Sequence, residues 1–154
     1  DFSIAYAPEL GNGMLRLGLD GTLMTSYDID DPQAGSVDGL GRRNFANFAT
    51  STPELRANVF ANWSLGNHAV NAYVRYIDSY IDDEVDLGTT IDDYLTLDLQ
   101  YAVRLPAERM PMISFGAINV LDEDPPYVAT NGGYDSKVHD PRGRLLYARA
   151  TFEF

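Results

Sequence analysis

Tyr94-Leu95-Thr96-Leu97-Asp98-Leu99-Gln100-Tyr101-Ala102-Val103-Arg104-Leu105 alternates along its whole length. Leu95, Leu97, Leu99, Tyr101, Val103 and Leu105 fall on one parity, and Thr96, Asp98, Gln100 and Arg104 on the other. A strand turns successive side chains to opposite faces, so this ribbon has an oily side and a wet side. Strict period two held this long predicts a strand and argues against a helix.

The same pattern spreads in both directions. From Met14 to Ile29, Leu15, Leu17, Leu19, Leu23, Tyr27 and Ile29 oppose Arg16, Asp20, Thr22, Ser26 and Asp28. From Glu54 to Leu65, Leu55, Ala57, Val59, Ala61, Trp63 and Leu65 oppose Glu54, Arg56, Asn58, Phe60, Asn62 and Ser64. The tail Arg144–Phe154 sets Leu146, Ala148, Ala150, Phe152 and Phe154 against Tyr147, Arg149, Thr151 and Glu153. Further strands are expected at Asp1–Ala7 and His68–Ile81, and one at Met112–Leu121 whose two faces the pattern leaves open. The total is about seven strands, and the tail is about as long as the roughly 9–11 residues that cross a bilayer core when tilted.

The connections sort by length. Short ones sit near Gly11–Gly13, at Gly66-Asn67 and at Pro106–Pro111; long polar ones run Asp30–Thr52, Asp82–Asp93 and Asp122–Arg142. They alternate, which gathers the long loops at one end, as in outer-membrane barrels with short periplasmic turns and longer external loops. Gly66 opening a two-residue turn suits a type II′ hairpin. Pairing then sets Trp63 opposite Val70, Ala61 opposite Ala72, Val59 opposite Val74 and Ala57 opposite Tyr76. Asn62 meets Asn71, Phe60 meets Tyr73 and Asn58 meets Arg75, and a one-residue slip would destroy the agreement. The first hairpin turns at Asn12-Gly13 or at Gly11-Asn12. Trp63 and Tyr101 at one end of the oily face, and Tyr27 at the other, suit the aromatic girdles of a membrane wall.

The formal charge of -12 argues against nucleic acid, whose phosphates need cations. Ten tyrosines and eight prolines fit strands and turns, and the lack of cysteine removes disulfides and thiolate metal sites. A mean hydropathy of -0.22 is compatible with a barrel, in which lipid-facing and lumen-facing residues alternate. The chain opens on Asp1 with neither Met nor signal peptide, so a C-terminal piece of something longer is expected. The expected fold is all-β: antiparallel up-and-down strands of a transmembrane β-barrel, with residues 1–154 as a C-terminal segment.

Phe115-Gly116-Ala117-Ile118-Asn119-Val120-Leu121-Asp122 resembles the Gly-x-x-Asn-Leu-Phe-Asp signature of TonB-dependent receptors, with Val120-Leu121 in place of the usual Leu-Phe. Asp124-Pro125-Pro126-Tyr127, Gly132-Gly133-Tyr134-Asp135, Asp140-Pro141-Arg142-Gly143-Arg144 and the terminal Phe154 follow in the family's order. The likeness covers roughly the last forty residues; upstream it is one of pattern. The resemblance implies a 22-stranded barrel with a plugged lumen in the bacterial outer membrane. It further implies a plug domain and TonB box lying N-terminal to this segment. Such receptors import ferric siderophores, haem, cobalamin or oligosaccharides with energy delivered by the TonB complex. About seven strands do not close such a barrel, so the isolated segment is expected not to transport. The closing strand resembles the signal read by the barrel-assembly machinery, which Tyr147, Phe152 and Phe154 would carry.

Candidate chemistry is sparse. Asp82, Asp83, Glu84 and Asp86 crowd one external loop. They lack the spacing of an EF-hand, and the plainer reading is a solvated, self-repelling loop. With Tyr127, Tyr134 and His139 they form the candidate ligand-facing set. Arg16, Asp20, Arg56, Arg75, Asp98, Arg104, Arg149 and Glu153 line the expected lumen, as cross-strand pairs or contacts to the plug. His68 and His139 belong to opposite ends, so they do not share a metal, and both are expected to be exposed. No enzyme motif, cofactor site or metal site is predicted. The rival readings are a small complete barrel serving as anchor or pore, and a soluble carbohydrate-binding sandwich. The sandwich would bury Leu95, Leu97, Leu99 and Val103 against a facing sheet.

Overall fold

A computed structural model describes residues 1–47, 51–106 and 111–152. Its strands in chain order are β1 (Phe2–Tyr6), β2 (Glu9–Leu10), β3 (Gly13–Leu23), β4 (Asp28–Asp31), β5 (Gly35–Asp38), β6 (Arg42–Arg43) and β7 (Leu55–Leu65). They continue with β8 (His68–Ile77), β9 (Tyr80–Asp82), β10 (Thr89–Ile91), β11 (Tyr94–Arg104), β12 (Met112–Ile118) and β13 (Leu145–Thr151). Seven of them form an antiparallel meander in the order β1-β3-β7-β8-β11-β12-β13, and β2 adds a short pairing to β3. The sheet is open: among the described residues no ladder joins β1 to β13.

The hairpin register is the one that side-chain alternation requires. Trp63 pairs with Val70, Ala61 with Ala72, Val59 with Val74 and Ala57 with Tyr76. Gly66 has φ +57 while Asn67 keeps negative φ, as a type II′ turn needs. The first hairpin closes Leu10 onto Gly13 with Gly11 at φ +62, which selects Gly11-Asn12 as its turn. Ladder neighbours also settle β12. Ile113, Phe115 and Ala117 sit opposite Val103, Tyr101 and Leu99, so they join the apolar face, and Ser114 and Gly116 join the polar one.

Three expected strands are shorter than their alternation. Met14–Ile29 leaves the sheet's ladder at Leu23: past the Met24 amide, which still bonds the Glu54 carbonyl, the next position able to pair with it, Thr52, exchanges its backbone bonds with Gly41 and Arg42 instead. Asp28–Asp31 then folds into its own hairpin with β5, which leaves Tyr27 in the connection between β3 and β4. His68–Ile81 breaks after Ile77, where the Asp78 carboxylate accepts the Ser79 amide at 3.0 Å and the Tyr76 hydroxyl at 3.1 Å. β13 ends at Thr151; Phe152 lies past it, and Glu153 and Phe154 are outside the described residues.

The long connections 24–54, 78–93 and 119–144 leave the same end of the meander; tight turns occupy the other. The connections, not the sheet, hold the packed interior. Tyr80, Ile91 and Val128 form the buried apolar cluster, with Val138 against it. The meander's apolar face has no covering layer among the described residues: Ile4 is 67 % exposed, Leu95 41 %, Leu99 39 %, Phe115 55 % and Leu146 77 %. Each such side chain forgoes about 1.5–3 kcal/mol of transfer energy while it faces water. The sheet that a sandwich would stack on Leu95 and Leu99 is not present among those residues.

Candidate functional site

Two surfaces compete as the working site: the polar face of the meander, and the cap built by the three long connections beside it.

The cap starts from backbone pairing. β6 of the first connection lies parallel to β9 of the second, and Ile81 and Asp83 donate their amides to Gly41 and Arg43 carbonyls at 2.9 and 2.8 Å. Asn47 braces the first connection, giving its side-chain amide to the carbonyls of Gly39 (3.2 Å) and Arg42 (2.8 Å). Arg43, 8 % exposed, then gathers carboxylates from elsewhere in the chain. Its Nη1 meets Asp82 at 3.0 Å, its Nη2 meets Glu84 at 2.5 Å, and its Nε stands 3.9 Å from Asp135. Asp135 Oδ2 also accepts the hydroxyls of Ser51 at 2.6 Å and Tyr80 at 3.1 Å, while Oδ1 accepts the Lys137 amide at 3.0 Å. One buried carboxylate thus ties all three connections. Removing one member of such a buried set leaves the rest uncompensated, at a typical cost of about 3–5 kcal/mol.

The acidic loop is therefore not simply solvated. Asp82 is 2 % exposed, and Asp83 pairs with Arg42. Burial alone pushes the Asp82 carboxyl upward, but the amides of Glu84 and Val85 and the Arg43 guanidinium outweigh it and hold it below its ordinary value. The sequence could not show this, because Arg43 lies some forty positions away. Burial, with Asp135 alongside, pushes the Tyr80 phenol up, so it remains a donor. His139 corrects the expectation of an exposed histidine: it is 4 % exposed, wedged between the rings of Tyr80 and Tyr94. Of the expected ligand-facing set, Asp82 and His139 point into the cap, whereas Asp86 and Tyr127 are exposed. Tyr134 lines a cleft of about 450 Å³ with Arg43, Thr130 and Lys137.

The Gly116–Asp122 stretch ends β12 by its backbone. Asn119 and Asp122 have φ +50 and +61, left-handed values that Asn and Asp tolerate better than most residues. The Asn119 amide N–H donates to Asp98 at 2.9 Å, and its side chain exchanges bonds with the Glu123 backbone at 2.9 and 3.0 Å. Asp122 accepts the Arg144 amide at 2.7 Å, pinning the start of β13 to the end of β12. Farther out, Asp140 takes a fork from Arg142, which holds its carboxyl down at about 2.

The polar face carries the expected wall charges in register. Arg75 grips Asp98 on the next strand through two bonds of 2.6 and 2.8 Å. Asn58 donates to Asp20 at 2.9 Å, and Arg16 sits 5.5 Å over the Phe60 ring. An amide row crosses the middle, Asn62 to Asn71 and Asn71 to Gln100, each at 2.9 Å. Arg56, Arg104 and Arg149 share this face by ladder parity. Tyr147 also lies on it, over Gly116. On the apolar side, His68 and Tyr101 meet at 2.7 Å near the tight turns, on the same face as Trp63. Where the third connection overhangs the polar face, Arg75, Tyr94, Asn119, Asp140 and Arg142 border a crevice of about 330 Å³.

Sequence reasoning missed Arg43, Ser51, Tyr80, Tyr94 and Asp135 as cap residues. A signal existed in the Arg42-Arg43 pair, two adjacent cations inside a connection of a strongly acidic chain. Scans against protein-family models, curated proteins and solved structures find no match to this chain.

Proposed function

We propose that this chain is barrel wall and external loops from the C-terminal part of a TonB-dependent receptor of the bacterial outer membrane. The observation that carries the reading is the uncovered apolar face running across all seven meander strands, backed by a polar face with paired charges. A wall with oil on one side and polar groups on the other is what separates lipid from a wet lumen. The gathering of long connections at one end, and the Gly116–Asp122 stretch, support the same reading.

On this reading the apolar face contacts outer-membrane lipid, with Trp63 and Tyr101 at the periplasmic rim. Arg16, Asp20, Arg75, Asp98 and their neighbours face the lumen and its plug domain. The cap faces the medium and meets the incoming nutrient, a ferric siderophore, haem, cobalamin or oligosaccharide. Its exposed tyrosine Tyr127 and the Tyr134 cleft supply stacking and hydrogen-bonding surface. Tyr147 and Phe152 belong to the strand that the barrel-assembly machinery would read. Lipid does not tolerate unpaired edges, so β1 and β13 need neighbouring strands, and this segment transports nothing by itself. Energy arrives through the plug and the TonB complex, outside this segment.

Uptake by cells provides the test. Cells carrying the complete receptor as their sole high-affinity importer are offered radio-iron siderophores, haem, cobalamin and labelled oligosaccharides. Import of one of these is expected to stop when TonB is deleted, and to fall at least about tenfold, the equivalent of roughly 1.4 kcal/mol, when residues 119–144 are replaced by a tight turn. Failure to import any of them, or import indifferent to TonB, overturns the reading.

A further inference from the structure

His139, from the third connection, packs against Tyr80 of the second connection and Tyr94 at the start of β11. The Tyr80 ring stacks on it at 6.0 Å and 19°, and the Tyr94 ring meets it edge-on at 5.3 Å and 82°. Neither of its ring nitrogens finds a hydrogen-bond partner among the described residues. A neutral imidazole leaves one donor and one acceptor unmet there, and an imidazolium would leave two charged donors unmet.

We propose that His139 is a proton-operated latch: neutral, it fills the seam that holds the cap shut, and charged, it releases the third connection from the other two. The groups facing it decide the direction. Tyr80 from β9 and Tyr94 from β11 present rings, and their hydroxyls are aimed elsewhere, to Asp135 and toward the backbone of Glu123 and Asp140. Arg56 of β7 opposes a positive charge at His139, and Asp135 favours one. Asp135 is the natural counter-ion, yet both its oxygens are taken by Ser51, Tyr80 and the Lys137 amide. Burial is the largest influence, and it lowers the imidazole below its ordinary 6.5.

The sign follows from linkage. A histidine depressed in the closed cap costs nothing above the open-state value near 6.5. Closure weakens as pH falls below that value, until the closed-state histidine itself takes up the proton. Two cap carboxylates lie below this window: Asp140 is held at about 2 and Asp82 below its ordinary 3.8. The chain's other histidine, His68, lies at the far end of the meander. Nothing in the latch depends on the transport reading.

Hydrogen exchange of the protein in detergent micelles, normalised to the intrinsic rate at each pH, tests it. Between pH 7.5 and 5, protection of the Val128, Gly133, Val138 and His139 amides, all bonded within the cap, is expected to fall by up to about 30-fold. The β7–β8 ladder should hold its protection. His139→Phe should flatten the response. Imidazole titration by NMR in the unaltered protein gives a second reading, with His139 expected below the ordinary 6.5. Undiminished cap protection at pH 5, an equal loss in His139→Phe, or a His139 titrating at or above the ordinary 6.5 overturns the latch.

Discussion

Among the described residues a glycine faces an aromatic ring directly across a ladder three times: Gly21 with Phe2, Gly18 with Phe60, and Gly116 with Tyr147. A Cβ at Gly18 would stand 2.1 Å from the Phe60 ring, and one at Gly116 would stand 2.4 Å from Tyr147. The ring lies flat over the bare backbone and restores the surface that glycine omits. Gly18→Val should therefore dislodge Phe60 and the Arg16 stacked on it. The expected loss is about 1–3 kcal/mol of unfolding free energy in detergent, measured by urea titration. In combination with Phe60→Ala the losses should be strongly non-additive, coupled by at least about 0.5 kcal/mol; strict additivity would dismiss the ring-over-glycine account. At this scale the chain was least readable in advance. Asp82 and His139 look like exposed loop residues because nothing near them in sequence shows Arg43 or the Tyr80 and Tyr94 rings that enclose them.

Strands were far more legible, for a mechanical reason. Period-two alternation marks a face wherever a strand lies in a sheet with two unlike sides, so β3, β7 and β11 and the register between β7 and β8 follow from residues close in the chain. The pattern fails where it outlives the ladder. Ile29 keeps the parity of Leu23, but Thr52 bridges to Arg42 rather than to the strand leading to Ile29, and β4 folds onto β5 instead. The ambiguous parity of Met112–Leu121 needed Tyr101 and Val103 beside it to decide its faces. The two faces should also differ in what they tolerate. Leu97→Lys, mid-strand on the apolar face, should cost about 2–4 kcal/mol in lipid vesicles, as lysine does near a bilayer midplane. Gln100→Lys on the opposite side should cost under about 1 kcal/mol, as it would for a face that stays wet on the proposed reading. Unfolding in urea compares them, and equal penalties would mean that neither face meets lipid.

At the scale of the whole molecule, the usual arrangement is inverted: among the described residues the buried apolar cluster lies in the connections, while the sheet's apolar face is exposed. The sole tryptophan, Trp63, reports on the sheet's surroundings, since it sits on the apolar face near the tight turns. In vesicles holding the complete barrel, with its other tryptophans replaced by phenylalanine, lipids brominated near the headgroup should quench Trp63 more than lipids brominated at the chain ends, as expected of an interface aromatic. Emission unaffected by either lipid would leave the apolar face without a membrane to meet. The sequence foretold that the long connections share an end, because their lengths alternate with the turns. That they close into one body through Arg43 and Asp135 depends on atoms more than ninety positions apart, which no local pattern encodes.

Asp135 also limits how such a chain can be re-engineered. Ser51, Tyr80 and Arg43 come from two connections, and they converge on a carboxylate from the third. Grafting any single connection onto a foreign scaffold would orphan its contacts, so transplanted specificity would have to travel as the complete trio.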